Sequence, residues 1–546
     1  MGDRIDVHPV EGADAIPPAA PRMRGFSAPS IPALVFVLLA VLVPILLQKA
    51  MLNSDGDLAR HLRHGRYMLE HGELIHADPF SFTRSGDPFV AFEYGSQVLY
   101  ALAERAGGLP AVAILAGLLI ALTYALLAQF LLGRGVDPLL AVLTVALAIA
   151  LGAGHWTARP HLFSSLAVVI LLGMLESKAR PSVAAYAVLF LIWANLHGGF
   201  VYGWILIGIY LVGSIGELVW SADRAFWMER ARHYVTMLLA ATSVTILNPR
   251  GLELHRHLFE FFGKPFLRDN TAEFGSPDFH EATGKVFLVV LLLCLGTLTL
   301  HPRRPTLPRL LLICISVAFA LIAVRNIPLF GLTALPILAL HTDELWRRLP
   351  DPGGVRGRFE TTAGTTTTMP WVLPVALSLV ALAGSGGRVG SLQLIRDEFD
   401  GSIFPVAVVA KARSDELQGN LFSEFTWGGY LVYAWPEQKI FIDGGTDFFG
   451  EDLFREYAKI KHLSPGWRGL LEKWQISLLL LKRDEALTHE VTREASWNLL
   501  YCDSLAVLLR RSSTVPPSPQ SRPDVAEEKL NACGAPASYP LGRHDE

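Results

Sequence analysis

Charged side chains are scarce in this chain, making up 18% of its 546 residues against 51% hydrophobic ones. With a mean hydropathy of +0.37, that shortage excludes a soluble protein of this length and leaves a polytopic membrane protein. Cysteine is rarer still. Of the four present, Cys294 and Cys314 fall inside apolar stretches, and Cys502 and Cys533 stand far apart, so neither a disulfide framework nor a zinc pattern is legible. An excess of one charge is also lacking: the net charge is −3 and the pI near 6.6, with basic residues scattered over loops rather than gathered on a face. Nothing in that distribution points to nucleic acid as a partner. No signal-peptide cleavage site is evident either. The Pro- and Ala-rich segment 1–30 carries only Arg4, Arg22 and Arg24 as basic residues, and no small-residue site follows the apolar run 31–48. That run is expected to be an uncleaved first span behind a disordered cytoplasmic N-terminus.

A membrane span needs about 20 apolar residues, fewer where neighbouring helices cover its ends. Candidates are 31–48, 109–132, 138–154, 161–175, 183–194, 200–220, 234–247, 286–300, 310–324, 327–340 and 370–383. The expected fold is mainly α, a polytopic transmembrane helical bundle of about eleven spans. The apolar stretch 94–106 is too short to cross and is expected to be re-entrant or interfacial. With a cytoplasmic N-terminus, alternate loops carry Arg134; Lys178 and Arg180; Arg224, Arg230 and Arg232; Arg303, Arg304 and Arg309; and Arg347, Arg348, Arg356 and Arg358. These are positive-inside loops. The other loops, including the long first outer loop 51–108, face outward.

That sorting puts the unusual polar residues at span ends on one side: Asp55, Asp57, His155, Arg159, Asn195, His197, Asn248, Arg250, Arg325 and Asn326. Charge at membrane depth is costly and by default functional, so these residues are expected to converge on one outward-facing cavity. Each also has a plainer use. An arginine beside a helix-end proline, as at Arg159 and Arg250, can reach headgroups, and Asn195 and His197 can satisfy backbone around Gly198 and Gly199. Within the outer loop, 53–73 reads NSDGDLARHLRHGRYMLEHGE, a short loop running into an amphipathic helix on the membrane surface. Leu58, Leu62 and Leu69 fall at roughly helical spacing, with Arg60, Arg63 and Arg66 on another face. Asp57 is either the cap of that helix or a site residue: a general base, or with Asp55 one arm of a divalent-metal clamp. The spacing of His61, His64, His71 and His76 matches no zinc pattern, and a solvated face is expected for them. Glu93, at the start of the interfacial stretch, is a lesser candidate for lining the cavity.

After the last span the composition becomes mixed and globular. Strands are expected at 419–422, 429–434, 439–442, 477–481 and 505–509, and helices over 452–462 and 467–474, making a small extracytoplasmic α/β domain over 387–512. Trp427, Tyr430, Tyr433 and Trp435 are expected in its core. Asp443 and Asp447, in IDGGTDFFG, read as a turn. The Pro-rich tail 513–546 is expected to be disordered.

At 57–72 the sequence DLARHLRHGRYMLEHG resembles the first outer loop of the GT-C superfamily of membrane glycosyltransferases, in particular the protein O-mannosyltransferase and aminoarabinose-transferase branch. In that branch the loop opens with an acidic pair and runs through a helix to a Glu-x-Gly end. Asp57 falls on the first acid, and Arg60, Arg66, Met68, Leu69, Glu70 and Gly72 fall on residues common in the family. Leu58 stands where the family has its second acid, leaving Asp55 to substitute across one glycine. ADPFSFT, EYGSQVLYAL, ARPHLFS, WANLHGGF, NPRGLELH, RNIPLF, WGGYLVY and FIDGG resemble segments of a bacterial GT-C group, so the likeness extends over nearly the whole chain.

The resemblance implies a GT-C-like transmembrane module over 31–386. It also implies transfer of one sugar from a polyprenyl-phosphate donor to an acceptor hydroxyl at the outer face of the bacterial inner membrane, with inversion. Asp57 would be the base. Arg159, Arg250 and Arg325 would hold the lipid phosphate, with His155, His197, Asn195 and Asn248 orienting phosphate or sugar. Some family members use a divalent ion, which makes Asp55 and Asp57 candidate ligands for Mg²⁺ or Mn²⁺. The acceptor, whether glycan, lipid or protein, is not legible. Two other classes fit the same residues: a flippase for a lipid-linked sugar, and a non-catalytic scaffold of an envelope-polysaccharide complex. Against the flippase, no paired repeat of broken helices is visible in the two halves of the chain.

Overall fold

The computed structural model describes residues 28–54, 56–351, 353–363 and 369–512. The segment 1–27, the tail from 513 and Asp55 lie outside the described residues. α1 (Ile31–Leu46) starts where Ser30 caps it, its Oγ accepting from Ala33 N at 3.2 Å, with a proline in the first turn. α2 (Gln48–Asn53) leads to α3 (Asp57–His71). α3 closes on Gly72, whose φ of +69° permits its N–H to reach the Met68 carbonyl at 2.9 Å. α4 (Tyr94–Gly133) joins the expected interfacial stretch to the following span, with a break at Gly107 and Gly108. There Gly108 has φ +66° and the Asp397 carboxylate accepts from Leu109 N at 2.7 Å, so the second half of the helix has its own cap.

The bundle continues through α5 (Pro138–Gly152), α6 (His161–Leu175), α7 (Val183–Leu196), α8 (Phe200–Trp220) and α9 (Arg224–Val244). The short α10 (Leu252–Gly263) and α11 (Pro265–Asn270) follow, then α12 (Ala282–Leu300), α13 (Leu307–Ile322), α14 (Ile327–Arg348), α15 (Val355–Ala363) and α16 (Met369–Gly384). Every expected span falls on one of these helices. Five described helices are long and apolar enough to cross a membrane, and five more apolar ones have 10–17 residues. The expected count of eleven therefore rests partly on short helices, and α9 carries Arg224, Glu229, Arg230 and Arg232 in its first half.

Beyond the bundle lie the two-residue pair β1 (Arg388–Val389) and β2 (Leu392–Gln393), α17 (Val406–Ser414), β3 (Leu421–Ser423), α18 (Gly428–Ala434), α19 (Thr446–Lys461) and α20 (Trp467–Lys473). β4 (Leu478–Lys482), α21 (Ala486–Arg493), β5 (Trp497–Cys502) and β6 (Ala506–Arg511) complete a sheet of order β3-β4-β6-β5. Its β3–β4 pair is parallel and the others are antiparallel. Three of the expected strands are present. Segment 429–434 is instead the helix α18, because its glycines are pressed against neighbouring backbone: a Cβ at Gly429 would lie 2.2 Å from the Gly56 carbonyl oxygen. Tertiary contact overrides the β propensity of its aromatics. Segment 439–442 makes only isolated bridges, Ile440 pairing with Ser81 and Leu421. Trp427, Tyr430 and Trp435 are buried as expected. Cys502 is disulfide-bonded, which the cysteine spacing did not reveal.

α3 does not lie on a surface. It is wedged between α4 and α18, with Leu58 and Leu62 buried on one side. Its arginine face is covered too, since Arg66 donates to Glu104 Oε2 at 2.7 Å and to Tyr433 Oη at 3.1 Å. A Cβ at Gly65 would sit 2.1 Å from the Gln97 carbonyl oxygen, so only glycine permits this approach of α3 to α4. His61 and His64 are buried rather than solvated. The loop after α3 is stitched to the C-terminal segment by Phe82 N donating to Ile440 O at 3.1 Å and Thr83 Oγ1 to Phe441 O at 2.6 Å.

Candidate active site

Asp57 is the first residue of α3, directly after the N-cap Gly56. One carboxylate oxygen lies 2.6 Å from Arg159 Nη2 and the other accepts from Arg60 Nη2 at 3.2 Å. Burial works to raise this acid, but the guanidinium groups of Arg159 and Arg60 outweigh it and bring the pKa down to about 2. Arg159 sits in the turn before α6, which Ala158 N fastens to the Met51 carbonyl at 3.0 Å and Tyr100 Oη fastens through the Arg159 carbonyl at 3.0 Å. Its Nη1 also donates to Glu273 Oε1 at 3.1 Å. Glu273 belongs to the turn Ala272–Phe274, whose Phe274 ring lies 4.6 Å from the Arg325 guanidinium carbon. Among the described residues Arg325 forms no ion pair or hydrogen bond, and it is only half-buried.

Glu93, immediately before α4, faces two histidines. Its Oε1 lies 3.4 Å from His197 Nε2 and its Oε2 lies 3.7 Å from His61 Nδ1. Ser164 Oγ holds His197 Nδ1 at 2.7 Å and accepts from Trp193 Nε1 at 2.7 Å, so the imidazole is set from behind. Burial keeps His61 neutral, well below the usual histidine range, with Arg60 adding to the effect. Without a charged histidine to stabilise it, Glu93 is pushed up by burial to about 7, Arg60 offsetting part of the rise.

The C-terminal segment closes the site. Gly445 N donates to Asp443 Oδ1 at 2.7 Å, and burial raises Asp443 to about 6 despite Arg60. Asp447, at the start of α19, lies 3.2 Å from His257 Nε2 of α10; burial opposes its ionisation, but neighbouring His257 and Arg60 outweigh it and lower its pKa. A Cβ on Gly444 would lie 2.5 Å from Asp57 Oδ1, and one on Gly445 would lie 3.1 Å from Arg60 Nη1. The glycines thus let backbone come up against Asp57 and Arg60. Arg60 is the hub, attracted by Asp57, Asp443, Asp447 and Glu93 at once.

The expected convergence on one end of the bundle is seen for Asp57, Arg159, Arg325 and His197. Others are spent on scaffolding. Arg250 donates to the carbonyls of Ile75 and Phe89, both at 2.6 Å, clamping the loop between α3 and α4. Asn248 builds its own turn, donating to Thr245 O and Gly251 O and accepting from Arg250 N. Asn195 donates to Leu191 O and Leu247 O and accepts from Tyr94 Oη. His155 lines a small cavity with Tyr124, Trp156 and His161, and its carbonyl is 2.8 Å from His161 Nε2.

Of the expected Asp55–Asp57 metal clamp, Asp55 lies outside the described residues. Both oxygens of Asp57 face guanidinium groups, and among the described residues no three His, Cys, Asp or Glu side chains are grouped to hold a metal ion. The residues that sequence reasoning passed over are Arg60, Glu273, Asp443, Asp447, His61 and His257. For Asp443 and Asp447 the local signal was the Gly-Gly step they flank, since glycine permits close backbone approach.

No family model matches this chain, and no curated protein matches its sequence. Solved structures do. The apo oligosaccharyltransferase of Archaeoglobus fulgidus superposes with a TM-score of 0.54 at 12% identity, covering 89% of this chain and 74% of that one. The same archaeal enzyme, AglB, in complex with an inhibitory peptide and a dolichol-phosphate gives 0.52 at 13% identity, with the same coverage of 89% and 74%. A third structure, tethered to an acceptor peptide containing the NVT sequon, gives 0.51 at 13% identity, again over 89% and 74%. Such identities speak for the fold alone: the chain shares the fold of these oligosaccharyltransferase structures, and five of its described helices are long and apolar enough to cross a membrane.

Proposed function

We propose that this chain is an integral-membrane glycosyltransferase that moves one sugar, with inversion, from a polyprenyl-phosphate-linked donor to an acceptor hydroxyl at the outer face of the bacterial cytoplasmic membrane. The observation that carries the reading is the pairing, at one end of a GT-C fold, of a carboxyl poised near neutrality with an arginine that has no anionic partner among the described residues: Glu93 and Arg325. A solved relative of this fold holds dolichol-phosphate and an inhibitory peptide, which supports a lipid-linked donor. The disulfide at Cys502 supports an extracytoplasmic position for the segment 387–512, since such bonds persist in oxidising compartments. Arg134, Lys178 and Arg347 at the opposite end of the bundle suit a cytoplasmic side there.

In the displacement, the acceptor O–H gives its proton to a base as its oxygen attacks the anomeric carbon. The bond from that carbon to the phosphate oxygen breaks, and the lipid phosphate leaves with the electron pair. A base works best with a pKa near the working pH. The ion pairs of Asp57 count against the base role assigned to it from sequence, and we assign that role to Glu93. Asp57 then positions Arg60 and Arg159. The leaving phosphate gains charge beside Arg325, whose guanidinium suits bidentate contact, with His197 orienting Glu93 from the far side.

The test is transfer from a panel of radiolabelled polyprenyl-phosphate sugars in membranes carrying parent protein, Glu93→Gln or Asp57→Asn at matched folded amounts. Transfer by the parent that is abolished in Glu93→Gln, with donor binding retained, is the expected result. Equal transfer by parent and Glu93→Gln overturns the base assignment. Movement of the lipid-linked sugar between leaflets without any transfer overturns the enzyme reading in favour of the flippase. Neither transfer nor movement with any donor would leave the scaffold reading standing.

A further inference from the structure

The far end of the bundle carries a cavity that sugar transfer does not use. It has a volume of about 820 Å³ and opens between the last turns of α4 and α6 and the middle of α14. From the break at Gly108 to this end, α4 runs about 25 residues, roughly 37 Å at helical rise. The cavity therefore lies across the membrane from Asp57. Phe130, Ile170 and Leu340 supply apolar walls, and Arg134, Lys178 and Arg309 stand at the rim.

The charges at that rim do not cancel. Arg309 is consumed by Glu176, donating from Nη2 at 2.6 Å and from Nε at 3.2 Å, and Tyr210 Oη also donates to that carboxylate at 2.7 Å. Arg180 is paired with Glu229. Arg134 and Lys178 have no ion pair among the described residues, and Arg134 Nη2 is buried with no hydrogen-bond partner there. A buried guanidinium nitrogen without a partner is costly and calls for an acceptor. The groove also has room: a Cβ added at Gly133 or Gly173, both lining it, would meet nothing within 4 Å.

We propose that this groove binds one anionic phospholipid of the adjacent leaflet, its phosphodiester on Arg134 and Lys178 and an acyl chain along Phe130, Ile170 and Leu340. Apolar walls below a two-cation rim at the membrane boundary match the two halves of that ligand, and basic pockets between spans recognise acidic headgroups in this way. The proposal requires that the bundle be embedded in a membrane and is independent of the sugar-transfer reading.

The experiment is native mass spectrometry of the purified full chain, delipidated and then titrated with phosphatidylglycerol or phosphatidylcholine. Each basic side chain near an anionic surface contributes about fivefold, so phosphatidylglycerol is expected to bind one site about twentyfold more tightly than phosphatidylcholine. Arg134→Gln should lose about fivefold of that preference, and Arg134→Gln with Lys178→Gln should abolish it. Gly173→Leu keeps every charge but fills the groove, and should displace the lipid while Arg134 and Lys178 remain. Equal binding of the two lipids overturns the proposal, as does an unchanged preference in either Gly173→Leu or the double variant. Competition by inorganic phosphate as effective as by phosphatidylglycerol would also overturn it, assigning the rim to a small anion instead of a lipid.

Discussion

Breaking the pair between Asp57 and Arg159 is expected to destabilise the fold by a calculable amount. The Asp57 carboxyl falls from its usual 3.8 to about 2 in the folded chain, and its side chain is only 24% exposed. At 1.36 kcal/mol per pKa unit this is about 2 kcal/mol of favourable interaction with its arginines. The folded pKa is depressed, so that stability is fully present above the unfolded value and is lost as pH falls through the folded one. Asp57→Asn should cost more than this, about 3 kcal/mol, because Arg159 and Arg60 then sit without their counter-charge. Arg159→Gln should cost a similar amount. The pair interaction is isolated by the double variant, in which the two losses should overlap by about 1–2 kcal/mol, Arg159 being the nearer of the two cations. Denaturant unfolding in mild detergent, followed by tryptophan fluorescence, measures all three. The gap between parent and Asp57→Asn should stay constant from pH 8 to pH 5 and shrink below about pH 4. Strictly additive losses in the double variant, or a gap that does not change in acid, would refute the ion-pair account of Asp57.

Glu93 carries a prediction of opposite sign. Its carboxyl, raised to about 7, must be ionised to accept a proton, so the rate of sugar transfer should fall about tenfold per pH unit below 7. Glu93→Gln should lose about 10²- to 10⁴-fold together with that acid limb, and a parent profile flat from pH 5.5 to 8 would sink the assignment. Arg325→Gln should raise KM for a polyprenyl-phosphate donor at least about tenfold with little change in stability, because among the described residues its guanidinium contacts only the Phe274 face. Arg250→Gln should do the reverse, costing about 1–3 kcal/mol of stability as two loop carbonyls lose their donor, with donor KM unchanged. Gly444→Ala should reduce transfer at least about tenfold, since misplaced site geometry is that costly and its methyl would sit 2.5 Å from Asp57 Oδ1. Wild-type transfer by a folded Gly444→Ala chain would show that this approach is irrelevant to the reaction.

Local pattern and mean hydropathy were enough to locate the helices of the bundle, since an apolar run of span length has few alternatives in a membrane. They also placed Asp57, Arg159, His197 and Arg325 at a common end, because the loops alternate sides and polar residues at helix ends are easy to see. α3 was legible as a helix from its spacing. Its surroundings were not: an amphipathic period records that two faces differ, and says nothing of a second layer that will cover the polar one. In the folded chain α18 and the Asp443–Gly445 turn supply that layer, and the arginines turn inward to meet it.

The sequence by itself determined the membrane character, the order of the spans and the end of the bundle where the polar residues gather, all consequences of short-range hydropathy and chain alternation. Only the tertiary structure decided which of those residues face one another. Asp57, Glu93, Glu273 and the pair Asp443 and Asp447 come from four separate stretches, and their charges acquire meaning only when Arg60 and Arg159 are set among them. The same holds for Arg250 and Arg325, which look alike in sequence. One is bonded to two carbonyls and consumed, the other among the described residues has an aromatic face and no ion pair, a difference of partners that no local spacing can encode.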